Sequence, residues 1–193
     1  MKKLIYLALL CACLLCLCAC GKTEFVPYED SAEALFYEPQ SPFELLDAES
    51  LDGAGVSAET LAAHELNMIN IWATWCGYCI QEMPGIEALS QSHDDIGFYG
   101  LLVESDPRTG AVLVGVSESE RAAAEAILAE TGASYPQMLV SEAMLPFFTE
   151  LYSFPTTYFV DAEGKLVGEP VLGAKSEEAW EEILAERWEL AHE

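Results

Sequence analysis

Along the chain, continuous apolar runs typical of buried strands alternate with segments whose apolar residues recur at helical spacing. Two continuous apolar runs, at 66–73 (LNMINIWA) and 96–103 (IGFYGLLV), have the length of buried central strands. A third strand is predicted at 156–160 (TTYFV), followed by a turn at 161–164 and a returning hairpin arm at 166–168. This order predicts a sheet that is parallel at its centre and antiparallel at one edge.

Helix-like segments lie between these strands. A helix is predicted from 76 to about 92, with Pro84 inside it, where a kink is expected. The next helix begins with a capping box formed by Ser117 and Glu120 and ends before Gly132. Shorter elements are also predicted, namely strands at 43–47 and 137–140 and helices at 57–62 and 142–152.

The last helix is predicted to begin after Ser176, with acidic residues in its first turn. Its apolar positions follow helical spacing and are read as core packing: Trp180, Ile183, Leu184, Trp188 and Ala191. With 52% hydrophobic residues, the chain of 193 residues has enough apolar side chains for a substantial core. The expected fold class is α/β, with a central mixed β-sheet flanked by helices.

The first twenty residues read as an export signal. Lys2 and Lys3 precede an apolar run of fourteen residues from Leu4 to Leu17, which is shorter than the roughly 20 residues of a membrane span. The sequence that follows, Leu17-Cys18-Ala19-Cys20, resembles the lipobox of bacterial lipoproteins. That resemblance implies cleavage before Cys20 and a diacylglycerol on its sulfur.

Two alternatives to this assignment stay open. An earlier candidate lipobox ends at Cys13, and an uncleaved N-terminal anchor would hold the domain outside the same membrane. The predicted organisation is a lipoprotein signal peptide at 1–19, the lipid-anchored cysteine with an acidic tether at 20–42, and a folded domain at 43–193.

The chain is strongly acidic. It has 8 Lys and Arg against 33 Asp and Glu, a formal net charge of −25. Such a surface repels nucleic-acid phosphates and has no polybasic attraction to anionic lipid, so no nucleic-acid partner is expected. Membrane association is therefore expected through the lipid anchor alone.

Two cysteines stand apart from the five in the first twenty residues. They lie in Trp75-Cys76-Gly77-Tyr78-Cys79, where a buried strand ends and a helix begins. A cysteine at a helix N-terminus has a stabilised thiolate, which can attack a disulfide of a partner, and a second thiol one turn later can resolve the mixed disulfide. Zinc binding is the main alternative, but no second CxxC or histidine cluster supplies the other ligands. We expect neither a metal nor another cofactor.

A second motif, Phe154-Pro155-Thr156-Thr157, comes directly before the third strand. Proline at the first position of a strand is compatible with a cis or a trans peptide bond, so the isomer stays open from the residues alone.

These motifs together resemble the thioredoxin fold, and within it the TlpA/ResA-like thiol–disulfide oxidoreductases of the bacterial cell envelope. The resemblance covers roughly residues 43 to 190. The matching pieces are Asn70-Ile-Trp-Ala-Thr-Trp75, Cys76-Gly-Tyr-Cys79, Glu82-Met-Pro84, Pro155-Thr-Thr157 and Asp161-Ala-Glu-Gly-Lys165.

The resemblance implies roles for individual residues. Pro155 is expected to be cis and to face the Cys76–Cys79 pair, and Phe154 before it to offer a backbone edge for pairing with a substrate strand. Trp75 is expected beside the nucleophile.

Gly77 and Tyr78 are expected to contact substrate between the cysteines. Many relatives carry proline at the position of Tyr78, which leaves the direction of electron flow open. Glu82, the one acidic residue close to the pair in sequence, is expected to tune the thiol pKa values and to exchange protons with Cys79. The alternative for Glu82 is an ordinary solvated helix residue.

The expected function is that of a membrane-anchored, extracytoplasmic protein dithiol–disulfide oxidoreductase, most readily a reductase. It would act on protein thiols and disulfides and receive electrons from an integral-membrane thiol carrier of the CcdA/DsbD type. A disulfide-forming oxidant is the first alternative. A non-catalytic binding lipoprotein on the same scaffold is the second.

Overall fold

The computed structural model describes residues 40–106, 109, 111–148, 151 and 153–193. The strands are β1 (Asp47–Glu49), β2 (Gly55–Ser57), β3 (Leu66–Trp72), β4 (Ile96–Leu102), β5 (Gln137–Leu139), β6 (Thr156–Asp161) and β7 (Val171–Leu172). The helices are α1 (Ala58–Leu61), α2 (Gly77–Ser92), α3 (Glu118–Thr131), α4 (Leu145–Phe148) and α5 (Glu177–Ala191), and a 3₁₀ turn spans Glu142–Met144.

Five of the strands form the central sheet in the order β5-β4-β3-β6-β7. β3 runs parallel to β4, and β4 runs parallel to β5. β6 is antiparallel to both of its neighbours, β3 and β7. Every residue of β3 and β4 is buried, which explains why their sequences are almost entirely apolar. Asn67 and Asn70 of β3 are the exceptions, and the side-chain amide of each donates hydrogen bonds. The predicted α/β fold with a mixed sheet is confirmed.

Alternation along β3 divides the core into two clusters, one on each face of the sheet. Met68 and Trp72 belong to the cluster that contains α2 and α5. Ile69 and Ile71 belong to the cluster on the opposite face, with Phe43. The same alternation turns Asn70 toward α2, which carries both cysteines.

Two predicted short elements were wrong. The segment 43–47 is not a strand: a turn closes with Leu46 N–H on the Phe43 carbonyl, and β1 begins at Asp47. The segment 142–152 is not one helix, since the 3₁₀ turn gives way to the four residues of α4. Pro146 lies at this junction, and its missing N–H prevents the earlier turn from continuing as one helix.

The predicted hairpin arm at 166–168 does pair back on β6, although it is too short to form a strand of its own. Leu166 bridges Val160, and the N–H of Val167 donates to the Phe159 carbonyl at 2.8 Å. The chain then turns at Gly168, with φ of 72°, and pairs with β6 again as β7, opposite Thr156 and Thr157. Glycine suits that turn because the left-handed region is strained for other residues.

The predicted helices α2, α3 and α5 are confirmed, and α2 continues through Pro84. Within the described ranges, no helix is long and apolar enough to cross a bilayer. The predicted signal peptide, Cys20 and all but the last residues of the tether lie outside the described residues. The boundaries at residues 19 and 42 therefore stay predictions.

Candidate active site

The turn between β3 and α2 presents the two cysteines, which form a disulfide in this structure. Cys76 is the N-cap of α2, and its sulfur accepts a hydrogen bond from the N–H of Cys79 at 3.2 Å. Cys76 retains 6% of its surface exposed, whereas Cys79 is completely buried. A partner can therefore reach Cys76 from solvent. Cys79 is accessible only to groups within the protein, such as the sulfur of Cys76.

Exposed aromatic side chains flank Cys76. Trp75 is 64% exposed and Tyr78 is 69% exposed. The ring of Phe154 meets the ring of Trp75 edge-on, with centroids 5.2 Å apart. Gly77 opens onto free space, since no atom lies within 4 Å of the position that a Cβ would take. Trp75 and Tyr78 thus expose aromatic surface on either side of Cys76 in the chain, and Phe154 packs against Trp75.

The peptide bond between Phe154 and Pro155 is cis, as the resemblance implies. Thr156 pairs with Ile71, so Pro155 enters the sheet at the edge where β3 leads into the cysteine turn. The carbonyl of Pro155 accepts a hydrogen bond from Gly173 N–H at 2.9 Å, which fixes this loop to the segment between β7 and α5.

Glu82 lies one turn beyond Cys79 on α2 and is 5% exposed, so it is not a solvated helix residue. Three donors converge on its carboxylate. The side-chain amide of Asn70 donates to Oε1 at 2.9 Å. The backbone N–H of Lys175 donates to Oε2 at 3.0 Å, and the indole N–H of Trp180 donates to the same oxygen at 3.3 Å.

Burial raises the pKa of Glu82 above its ordinary value. The three hydrogen bonds and the positive charge of Lys175 act in the opposite direction, because they favour the ionised carboxylate, but burial has the larger effect. Glu82 is therefore a buried carboxyl group with a raised pKa, one turn beyond Cys79 on the same helix.

Three residues of this site were given no role in it from the sequence. Asn70 was named only as part of a matching motif, although a polar residue inside a buried strand was a signal, and its amide also donates to the Thr157 hydroxyl at 3.0 Å. Trp180 was assigned to the core alone, where it is indeed fully buried. The role of Lys175 depends on its backbone N–H, which no side-chain pattern reveals. Among the described residues, no cluster of His, Cys, Asp and Glu could hold a metal ion.

No protein-family model matches the chain. The chain is, however, similar in sequence to several curated proteins. The thiol:disulfide interchange protein DsbE of Pseudomonas fluorescens is 25% identical over 164 residues, covering 84% of this chain and 82% of that protein. DsbE of Escherichia coli is 28% identical over 160 residues, covering 81% and 75%. The thioredoxin-like protein YneN of Bacillus subtilis is 28% identical over 98 residues, covering 50% and 51%.

Solved structures share the fold. A secreted disulfide oxidoreductase of Mycobacterium tuberculosis, homologous to E. coli DsbE, superposes with a TM-score of 0.56 at 15% identity, covering 74% of this chain and 96% of that one. StoA from Bacillus subtilis superposes with a TM-score of 0.53 at 16% identity, covering 71% and 93%. The resemblance based on the sequence motifs is confirmed. With its CxxC pair, thioredoxin fold and DsbE-type homologues, this chain is a thiol-disulfide oxidoreductase.

Proposed function

We propose that this protein is a membrane-anchored, extracytoplasmic reductase of protein disulfides. The observation that carries the direction is the burial of Glu82 one turn beyond Cys79. A carboxylate near a dithiol opposes formation of thiolates, and this favours the disulfide over the reduced, ionised pair. A pair that favours its disulfide has a low reduction potential and gives its electrons readily to partners.

The proposed cycle begins from the reduced pair. The thiolate of Cys76 attacks a disulfide of the partner, so that one partner sulfur leaves and a mixed disulfide forms. Cys79 then loses its proton and attacks the sulfur of Cys76, which releases the second partner sulfur and leaves the Cys76–Cys79 disulfide. Two electrons pass to the partner. Glu82 is the proposed acceptor of the Cys79 proton, since it is the titratable group one turn away on the same helix.

The proposed docking surface is the apolar rim around Cys76, formed by Trp75, Tyr78 and Phe154, with Gly77 leaving the approach open. An extended segment of the partner would pair its backbone with Phe154, next to the cis proline. This arrangement suits an unfolded or flexible polypeptide that carries its cysteine in an extended stretch.

The proposed anchor is a diacylglycerol on Cys20. The support is the N-terminal sequence pattern, with its short apolar run and its small residues before the cysteine. In cells fed a clickable palmitate analogue, Cys20→Ala is expected to abolish labelling, whereas Cys13→Ala is expected to retain it. Unchanged labelling of Cys20→Ala would contradict the assignment.

An envelope reductase must be re-reduced after each turnover, and we propose that an integral-membrane thiol carrier of the CcdA/DsbD type supplies the electrons. The direction of transfer is tested by equilibrating the soluble domain in thiol redox buffers and counting alkylated cysteines by mass. A potential near or below about −250 mV supports a reductase. A potential near about −120 mV would instead indicate a disulfide-forming oxidant, and absence of any exchange would indicate a non-catalytic binding protein.

A further inference from the structure

A side-chain contact joins the cysteine turn to helix α3. The hydroxyl of Thr74 donates a hydrogen bond to the carboxylate of Glu120, which lies 46 positions later in the sequence. Thr74 is inside the turn that presents Cys76, because the N–H of Cys76 closes that turn on the carbonyl of Ala73 at 2.9 Å. Through this contact, a carboxylate that is distant from the cysteines in sequence lies beside the turn that carries them.

The start of α3 is built so that Glu120 is available for this contact. Ser117 caps the helix, and its hydroxyl accepts the N–H of Glu120 at 3.3 Å. In a capping box the glutamate side chain would return to the N–H of Ser117. Here that N–H donates to Glu104 instead, and Glu104 also accepts the Ser117 hydroxyl at 3.0 Å. The carboxylate of Glu120 is thereby left to face Thr74.

The charge on Glu120 is not neutralised by an ion pair with any residue that the structure describes. Thr74 and Cys76 are two positions apart, so their Cα atoms are separated by about 7 Å at most. Because the carboxylate contacts the Thr74 side chain, it lies on the order of 15 Å or less from the Cys76 sulfur, which is under about two Debye lengths at physiological ionic strength. The charged groups nearest to Glu120 are Glu104, which accepts from Ser117, and Arg121, the next residue of α3, which pairs with Glu49. Glu82 on α2 and Lys175 before α5 are the other charged groups of the active site.

The charge of Glu120 and the N-terminus of α2 have opposite effects on Cys76. The helix N-terminus stabilises a thiolate, and a nearby carboxylate destabilises it. The disulfide is uncharged, so neither electrostatic effect changes its free energy directly. Holding the carboxylate in place therefore shifts the balance from the reduced pair toward the disulfide.

We propose that Thr74 and Glu120 are a positioning pair that makes the dithiol a stronger reductant: Thr74 holds the Glu120 carboxylate beside the cysteine turn, where its charge favours the disulfide form. This inference deepens the proposed function, on which it rests. In a glutathione buffer the measured reaction is protein disulfide plus two glutathione thiols giving protein dithiol plus glutathione disulfide. When Cys76 remains a thiolate, one proton is released to solvent.

The test compares variants that separate contact from charge. Glu120→Gln keeps an oxygen that can accept from Thr74 but removes the charge, and Thr74→Val removes the contact but keeps the charge. Glu120→Gln is expected to shift the glutathione equilibrium toward the dithiol by about threefold, equivalent to about 14 mV for a two-electron couple. Thr74→Val is expected to shift it in the same direction by a smaller factor, because the charge stays on α3. Thr74→Ser retains the hydroxyl and is expected to match the wild type.

Glu125→Gln is the matched control, since Glu125 lies on the same helix more than one turn farther along, where it is exposed. It removes the same charge and is expected to leave the equilibrium unchanged. An equal shift in Glu125→Gln would mean that only net charge matters and would overturn the proposal. A wild-type equilibrium in Thr74→Val would also overturn it, because Thr74 would then have no positioning role.

A second readout is the rate at which iodoacetamide alkylates Cys76 in the reduced protein at mildly acidic pH. It is expected to rise in Glu120→Gln, because more of the thiol is ionised, and this rise is expected to fade at high salt. The absolute potential of the wild type tests the proposed function. The difference between variants tests this inference, so the two can fail separately.

Discussion

The indole N–H of Trp180 donates to the carboxylate of Glu82 across 3.3 Å, joining the last helix to the helix that carries both cysteines. Both side chains are buried, and the same carboxylate oxygen also accepts the N–H of Lys175. The segment before α5 thus helps to set the protonation of a group beside Cys79. Core packing and thiol chemistry depend here on the same tryptophan.

Trp180→Phe is expected to raise the pKa of Glu82 further, because it removes one of the three donors to the ionised carboxylate. The measurement is an NMR titration of the labelled Glu82 side chain. The domain is expected to lose about 1–3 kcal/mol of unfolding free energy with the hydrogen bond to a charged group.

Trp72→Phe is the matched control for that experiment. Trp72 is equally buried, and its indole N–H donates to the Gln137 side chain at 2.9 Å rather than to a carboxylate. It is expected to lower stability without moving the titration of Glu82. Identical titrations in both variants would show that the Trp180 contact is only structural.

Glu82→Gln is expected to slow the resolving attack of Cys79 by roughly tenfold or more at neutral pH, because the amide cannot accept the proton of the thiol. The measurement is the decay of a preformed mixed disulfide between Cys76 and a model peptide, followed by quenching and mass analysis. The first attack by Cys76 on the peptide is expected to change less. Equal slowing of both steps would argue that the substitution disturbs the whole site.

The contribution of Glu82 to the stability of the wild type is expected to fall as the pH rises above about 4.5, the ordinary pKa of a glutamate. Burial raises the pKa of Glu82 in the folded protein, so the folded state holds this proton more tightly than the unfolded state. The resulting stabilisation is fully present below the unfolded pKa and is lost as the pH rises through the folded pKa. In urea unfolding across this range, Glu82→Gln is expected to lack this component of the pH dependence.

Cys76→Ser is expected to abolish exchange with partner disulfides, and Cys79→Ser is expected to accumulate mixed disulfides that involve Cys76. The reason is access, since only Cys76 retains exposed surface and Cys79 is completely buried. Non-reducing gels with mass identification of the trapped sulfurs check both outcomes. A Cys79→Ser variant that turns over like the wild type would contradict the two-cysteine cycle.

Gly100→Ala is expected to destabilise the domain by about 1–3 kcal/mol. A Cβ at this position in β4 would lie 1.9 Å from Oε1 of Gln137, the oxygen that accepts the Trp72 indole N–H. Chemical denaturation measures the loss. Gln137→Ala in the same chain is expected to relieve the clash, so the double variant should be more stable than the sum of the single effects predicts.

The central strands and the cysteine turn could be predicted from the sequence because their signals are local. β3 and β4 are buried on both faces and are therefore largely apolar in sequence, interrupted only by Asn67 and Asn70 in β3. The CxxC motif is contiguous and begins where β3 ends.

The environment of the cysteines could not be predicted in the same way. Glu120 was assigned to a capping box by its spacing from Ser117, and that spacing carries no information about Thr74. Short elements were mispredicted for a related reason. β1, for example, is only three residues long and is held by pairing with β2 and by the Ser50 bridge to Met138, both of which are tertiary contacts.

The strand order has a consequence for when the protein can fold. β3 takes one neighbour from β4 and the other from β6, which is synthesised much later, and α5 at the end of the chain completes the core with Trp180. Such long-range pairing makes folding slow and leaves an incomplete chain without a closed sheet. A newly made chain therefore cannot close its central sheet until β6 and α5 have both been synthesised.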